Sequence, residues 1–230
     1  MRFERTLGKK TRTFARVVFG MMFFLRRSDD PECRKRFAMA EEYCRHHVPL
    51  ETYNWAAVET PKNLKWLDLR KPGSGAKAYD LWHQESMNNN LWFGLFDFTN
   101  NDGEAAGHTL QCRALGLQYP AKEQSFFHFN VPLPWLEQQH KPGLAQTIFR
   151  DLTEILQPLH AQAGLCLTMT GNYLWTQEEG AESLYSVLHK HPGLIAGSAA
   201  DMTFSLGDGM LPINWLHARH NDLANRCEPR

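Results

Sequence analysis

Apolar residues recur along the chain in two patterns, one typical of strands and the other of helices. Runs rich in Val, Phe, Met and Leu, and stretches in which apolar and polar residues alternate, predict β-strands. The predicted strands lie at residues 17–25, 91–98, 109–117, 127–133, 164–170, 202–206 and 210–216, with shorter pieces around Trp55, Leu64, Trp66 and Leu67. Turn residues at 99–103 join two of these strands into a predicted hairpin.

Apolar residues spaced three or four apart predict three helices. The first follows acidic capping residues, has Pro31 at its first position and ends near His47. The second spans residues 144–156, and the third spans residues 178–190. Strands come in runs instead of alternating strictly with helices. The pattern therefore predicts an α+β fold, a mixed or antiparallel sheet with about three helices packed on it.

Two local features predict finer structure. Pro132 and Pro134 predict a half-buried edge strand that leaves the sheet, because proline cannot donate a ladder hydrogen bond. His160 and Gly164 predict a helix end, where glycine relieves backbone strain.

Charge is unevenly spread although the net charge is zero. Residues 1–27 carry eight Lys/Arg and one Glu, whereas residues 81–230 carry fifteen Asp/Glu and eight Lys/Arg. We expect residues 1–13 to form a basic, flexible N-terminus and residues 14–230 to form a single α+β domain. The acidic part is either an ordinary solvated surface or a face that binds a basic partner.

The apolar run at residues 14–25 follows basic residues, an order that imitates a signal peptide. However, Arg16 interrupts the run, Arg26 and Arg27 end it, and no small-residue cleavage site follows. The run is also too short and too charged to span a bilayer. We interpret it as a buried strand with charged ends.

The five cysteines include no Cys-x-x-Cys pair, and an odd number cannot all pair within one chain. Cys33 and Cys44 lie on a predicted helix and Cys166 in an apolar run, so all three are interpreted as small buried hydrophobic residues. This usage fits a reducing compartment, and we expect a cytoplasmic protein.

No set of residues has the spacing of a catalytic site. The glycine-rich loop at residues 71–77 lacks the P-loop pattern. His217 and His220 lie three apart on a possible helix, but no third metal ligand has a fixed offset. Cys166 lies between two leucines, where desolvation would keep its thiol unreactive. We therefore expect no enzymatic activity, no metal and no cofactor.

Five local patterns, taken in order, resemble a bacterial family, the type VI secretion immunity proteins that neutralise VRR-Nuc nucleases. One pattern is an aromatic strand, an acidic turn and a basic helix start, and another is a strand-to-helix passage. The patterns lie at residues 19–36, 129–136, 149–164, 191–194 and 213–216. Together they extend over roughly residues 14–217.

The resemblance implies a non-enzymatic protein that binds a cognate type VI effector nuclease and blocks its DNA-cleaving site, protecting the producing cell and its kin. It implies no direct contact with nucleic acid, no membrane and no small-molecule substrate. Nuclease clefts are basic, so acidic residues beside aromatic ones are candidate contacts. The candidate partner-binding residues are Trp92, Asp97, Asp102, Glu104, Tyr173, Trp175, Glu178, Glu179, Glu182, Asp201 and Asp208.

Two other functions stay open from the sequence. One is a nucleic-acid-binding protein that places basic N-terminal side chains on phosphates. Those side chains are Arg2, Arg5, Lys9, Lys10, Arg12 and Arg16. The other is a small-molecule hydrolase that uses Cys166 or a histidine.

Overall fold

A computed structural model describes residues 2–7, 10–60, 62–86, 90–98, 105–119, 123–169, 189–190, 194–196 and 216–219. Ten strands form one sheet. They are β1 (Arg2–Leu7), β2 (Lys10–Leu25), β3 (Trp55–Glu59), β4 (Leu64–Asp68), β5 (Asn90–Phe96), β6 (Thr109–Leu115), β7 (Ser125–Pro132), β8 (His160–Met169), β9 (Ile195–Ala196) and β10 (Leu216–Arg219). The helices are α1 (Pro31–His47), α2 (Ser74–Ser86), α3 (Leu133–Gln138) and α4 (Leu144–Leu156), with a single 3₁₀ turn at Leu50–Thr52.

The sheet is built around its longest strand, β2. Neighbouring strands follow the order β10-β8-β2-β7-β6-β5-β3-β4, with β1 beside β2 and β9 beside β8. The pairs within this order are antiparallel, and β8 with β9 is parallel. These strands and the helices packed on them confirm the α+β prediction.

On one side of β2, its C-terminal part pairs with β7 and its N-terminal part pairs with β1. Pro132, the last residue of β7, pairs with Val18, and β1 then pairs with β2 from Arg16 back to Lys10. The structure places residues 2–7 and 10–13 in this hairpin, and the flexibility of residues 1–13 stays a prediction. The extent of the single domain over 14–230 stays a prediction.

The main core lies between the sheet and helices α1, α2 and α4. Phe23 of β2 stacks on Phe149 of α4, with ring centroids 5.4 Å apart, and meets the edge of Phe127 of β7 at 6.3 Å. Phe37 of α1 lies 6.3 Å from the same Phe127 ring. All four rings are at most 6% exposed. Burial of aromatic rings of this size is the main stabilising contribution of such a core.

Helices α1 and α4 begin and end as the sequence predicts. Asp30 caps α1 by accepting a 2.9 Å hydrogen bond from the backbone N–H of Glu32, and Pro31 occupies the first turn. Helix α2 corrects the sequence analysis, which predicted only a loop at residues 71–77. Of the third predicted helix, only residues 189–190 are described.

β7 is an interior strand, which corrects the prediction of a half-buried edge strand. It pairs with β2 on one side and β6 on the other, and its first seven residues are all buried. Pro132 ends the strand and Pro134 lies in the first turn of α3, two positions at which proline costs no ladder hydrogen bond.

Two further predictions are wrong. His160 and Gly164 lie within β8 and not at a helix end, and Gly164 faces Gly20 of β2. His217 lies on strand β10 and not on a helix. His220, the predicted strand at 202–206, residues 210–215 and the turn at 99–103 lie outside the described residues.

The face of the central strands that points away from the helices is also buried, and it carries polar groups. His128, Asn130 and Gln162 are at most 3% exposed. Met22 of β2 lies between His128 and Gln162 in the register, and the Gln162 Nε2 atom is 3.9 Å from its sulfur. No helix of the described ranges is long and apolar enough to cross a membrane.

Candidate partner-binding surface

Five aromatic side chains cluster on the side of the sheet opposite helices α1, α2 and α4, at the end formed by β3, β4 and β5. Phe96 lies at the centre, 5.3 Å from Phe98, 5.5 Å from Trp66 and 6.0 Å from Trp92, measured between ring centroids. Trp55 stacks on Phe98 at 6.5 Å. We call this cluster, Trp55, Trp66, Trp92, Phe96 and Phe98, the aromatic face.

Small residues beneath the rings allow them to pack on the sheet. Ala57 of β3 faces Trp66 of β4 on one side and Gly94 of β5 on the other. A Cβ atom at position 94 would lie 2.7 Å from Cε2 of Phe96 and 3.3 Å from Cη2 of Trp92. Both rings therefore lie over Gly94, which a larger residue would prevent.

The aromatic face is buried at its centre and open at the edge of the sheet. Phe96 and Phe98 are each 7% exposed, whereas Trp66 is 38% exposed and Leu64, also on β4, is 42% exposed. Large apolar side chains that stay exposed in contiguous patches mark interaction sites more often than isolated ones do.

One arginine lies over a ring of the aromatic face, and a second lies opposite Trp92 in the strand register. The Arg70 guanidinium lies 5.4 Å from the Trp55 ring centroid and forms two hydrogen bonds to Asp68, of 2.7 and 3.0 Å, which lower the pKa of Asp68. Arg113, the β6 partner of Trp92, lies 5.7 Å from the Tyr119 ring centroid. Trp, Tyr and Arg are the residue types that contribute most to binding at protein interfaces.

Two of the eleven predicted partner-binding residues lie in the described part of the chain. Trp92 is half-buried in the aromatic face. Asp97 follows β5, and its carboxylate accepts hydrogen bonds from the backbone N–H groups of Gly107 (2.7 Å) and His108 (2.8 Å). His108 Nδ1 also donates to it at 3.0 Å, since a carboxylate can only accept.

The charge of the Asp97 carboxylate is stabilised by hydrogen bonds from groups of the same chain. Burial alone would raise the pKa of Asp97, but the hydrogen bonds from His108 and Gly107 lower it below its ordinary value. The other nine predicted residues lie outside the described residues, and their role stays a prediction. They are Asp102, Glu104, Tyr173, Trp175, Glu178, Glu179, Glu182, Asp201 and Asp208.

The sequence analysis treated Trp55 and Trp66 only as strand residues and did not connect them with Trp92. Each tryptophan lies on a short strand, and α2 separates β5 from β3 and β4 in the chain, so only the β3–β4 and β3–β5 registers bring the three together. The only feature of the sequence that could have indicated this cluster is the number of tryptophans in residues 55–92.

The candidate nucleophile Cys166 is buried, and desolvation raises the pKa of its thiol to about 12. The thiol is therefore protonated at neutral pH, which removes the basis for a hydrolase acting through this residue. Across the described ranges, no group of three or more His, Cys, Asp or Glu side chains is placed to hold a metal ion.

A family model described as type VI immunity for VRR-Nuc, TsiV, matches residues 36–226. This chain belongs to the TsiV family. A solved Pseudomonas aeruginosa T6SS protein, PA0821, has a similar fold, with a TM-score of 0.73 and 17% sequence identity. The similarity covers 96% of this chain and 62% of that protein, so this TsiV chain spans less than two thirds of its length. No significant relative was found among curated proteins.

Proposed function

We propose that this TsiV chain binds a cognate VRR-Nuc effector nuclease in the cytoplasm and blocks its DNA-cleaving site, protecting the producing cell and its kin. The observation that carries the proposal is the family match over residues 36–226, which includes the whole aromatic face. The chain acts as an inhibitor and not as an enzyme, because occupying the cleft is enough to exclude DNA.

The aromatic face supports a binding role. Interfaces with high affinity depend on a few buried aromatic and arginine anchors surrounded by residues that exclude water. Phe96 and Phe98 form such a buried base, and Trp66 and Leu64 are available to a partner at the rim. An inhibitor of a toxic nuclease needs affinity of this kind, since any unbound nuclease continues to cleave DNA.

The nine acidic and aromatic residues outside the described ranges remain a second proposed set of contacts. Their carboxylates would compete with DNA phosphate for the basic cleft of the nuclease and would speed association. Reversing the charge of Asp102, Glu178 and Glu179 tests this part alone. If the association rate did not change, the proposed acidic contacts would be wrong, whereas the proposed inhibition would not be affected.

The experiment that tests the proposed function is co-expression of this chain with its cognate VRR-Nuc nuclease. We expect the two proteins to purify as a complex and cells to survive nuclease expression only when this chain is present. Survival without a complex would contradict direct binding, and death despite a complex would contradict blocking of the cleavage site.

The N-terminal hairpin supports the alternative of nucleic-acid binding. Arg2 of β1 lies opposite Arg16 of β2, and like charges directly opposite each other are destabilising, a repulsion that bound phosphate would relieve. Salt-dependent DNA binding by the free chain, lost when Arg2 and Arg5 are replaced by Ala, would support it. Absence of such binding would exclude it.

A further inference from the structure

β4 forms one edge of the sheet that the described residues build, and two of its residues point their backbone groups away from β3. The N–H of Thr60 donates to the carbonyl of Asn63 at 2.9 Å, and the N–H of Leu69 donates to the carbonyl of Asn54 at 2.8 Å. Because these bonds alternate along an antiparallel pair, residues 63, 65, 67 and 69 point their backbone groups at β3. Leu64 and Trp66 point theirs outward, where no strand of the described chain lies.

The same two residues carry the exposed apolar side chains of the aromatic face. Leu64 is 42% and Trp66 is 38% exposed, and the Trp66 ring contacts Phe96 and Phe98. Edge strands of monomeric proteins are usually protected by charges, prolines or bulges. β4 is only five residues long and carries the exposed Lys65, but its outward backbone groups, unpaired among the described residues, lie beside exposed apolar side chains, a combination that strand addition by a partner can use.

Charge around β4 defines the chemistry of the partner. Residues 60–71 contain four Lys/Arg and a single acid, Asp68, whose two oxygens already bind Arg70. Lys62, Lys65 and Lys71 are exposed. This basic border contrasts with the acidic excess of residues 81–230. A complementary segment would therefore carry acidic residues as well as apolar ones.

We propose that the cognate nuclease docks by adding an extended acidic segment to β4, with alternate apolar side chains on the aromatic face. This inference rests on the proposed function, since it takes the VRR-Nuc effector as the partner. The added strand would pair with Leu64 and Trp66, and its acidic side chains would lie beside Lys62 and Lys65.

The backbone part of the proposal is tested by comparing Leu64→Pro with Leu64→Ala in the full chain. Both remove the leucine side chain, but only proline removes the outward N–H, at the first residue of an edge strand where the fold tolerates it. We expect Leu64→Pro to weaken nuclease binding at least about tenfold more than Leu64→Ala. Equal affinities of the two variants would overturn strand addition.

The side-chain part is tested by Trp66→Ala, with Met39→Ala as the matched control. Met39 is 54% exposed on α1, away from β4. We expect Trp66→Ala to weaken binding about thirtyfold or more, as at an interface hot spot, and Met39→Ala to leave it unchanged. Protection of the Leu64 and Trp66 amides from hydrogen exchange in the complex provides a measurement on the unaltered protein.

The charge part is tested by Lys62→Glu with Lys65→Glu, against Lys141→Glu at the exposed turn before α4. We expect the first pair to slow association in low salt and the control to leave it unchanged. If the wild-type chain binds and inhibits the nuclease while the β4 variants retain wild-type affinity, the docking inference is wrong and the proposed function stands. If the wild-type chain neither binds nor inhibits, both are overturned.

Discussion

At the scale of single residues, Asp97 holds the end of β5 to the start of β6. Its carboxylate accepts two backbone N–H groups and the imidazole of His108, all within 3.0 Å. The sequence suggested a partner contact because Asp97 lies beside aromatic residues and turn chemistry. It could not show that a histidine eleven residues further along binds the carboxylate.

Replacing Asp97 with Asn should destabilise the protein. The amide would place an N–H toward at least one of the groups that now donate to the carboxylate, at a cost of about 1–3 kcal/mol at pH 7. Because the pKa of Asp97 is lowered in the folded state, its contribution is present above the unfolded pKa and is lost as pH falls below it. Urea unfolding at pH 7 and pH 3 should therefore show a smaller difference between variant and wild type at pH 3.

Asp80→Asn, at an exposed position on α2, is the matched control for Asp97→Asn. It should leave the free energy of unfolding unchanged at both pH values. A stability of Asp97→Asn equal to that of the wild type would show that the three hydrogen bonds contribute nothing measurable.

At the scale of elements, Gly20 lets three central strands pack together. It lies on β2 between Gly164 of β8 and Asn130 of β7. A Cβ atom there would lie 2.4 Å from the Cys166 sulfur and 2.6 Å from Oδ1 of Asn130. Both atoms belong to short side chains on strands paired directly with β2, so relieving these contacts requires a change of side-chain rotamer or a shift of a strand.

Gly20→Ala should therefore lower the free energy of unfolding by about 1–3 kcal/mol, as overpacking of a core does. Combining it with Cys166→Ala, which removes the nearer atom, should recover part of that loss in a double-mutant cycle. Gly75→Ala is the control, because its Cβ would meet only Leu50 Cδ2, at 3.2 Å. If the effects of Gly20→Ala and Cys166→Ala on the free energy of unfolding were additive, the packing of Gly20 against Cys166 would be contradicted.

The elements that the sequence predicted are those with strong periodicity, such as β2, α1 and α4. Helix α2 was missed because it begins in a glycine-containing segment and, among its described side chains at residues 74–83, fully buries only Ala78 and Trp82. Helix α2 is stabilised by tertiary contacts that leave no pattern in the local sequence. The chief one is the Trp82 ring, which stacks on Phe93 with ring centroids 4.4 Å apart. β7 was taken for an edge strand because of Pro132 and Pro134, which lie at its end and in the first turn of α3. It was taken for half-buried because alternating polar residues look the same whether they face water or a second buried layer.

At the scale of the whole molecule, burial of His128 couples the stability of the sheet to pH. The ring is 3% exposed, and desolvation lowers the pKa of His128 to about 4, an effect that Asn130 only partly offsets. An unfolded histidine titrates near 6.5, so the unfolded state binds the proton more readily between about pH 4 and 6.5. Stability therefore falls as pH is lowered through that range.

His128→Gln should reduce this pH dependence. The wild-type chain should lose up to roughly 3 kcal/mol of stability from this group between pH 7 and pH 4, and the variant should lose correspondingly less. Urea midpoints at several pH values measure the effect, with His46→Gln, at an exposed position on α1, as the control. An unchanged pH dependence in His128→Gln would show that another group is responsible.

The central claim for the whole molecule is stoichiometric inhibition of a VRR-Nuc nuclease. Its most direct test is a titration of this chain into a fixed amount of the cognate nuclease, with DNA cleavage as the readout. We expect cleavage to fall linearly and to end at a fixed ratio of the two proteins, as occupation of the cleft requires. Undiminished cleavage in the presence of excess chain, or complete inhibition by a catalytic trace of it, would contradict the proposed function.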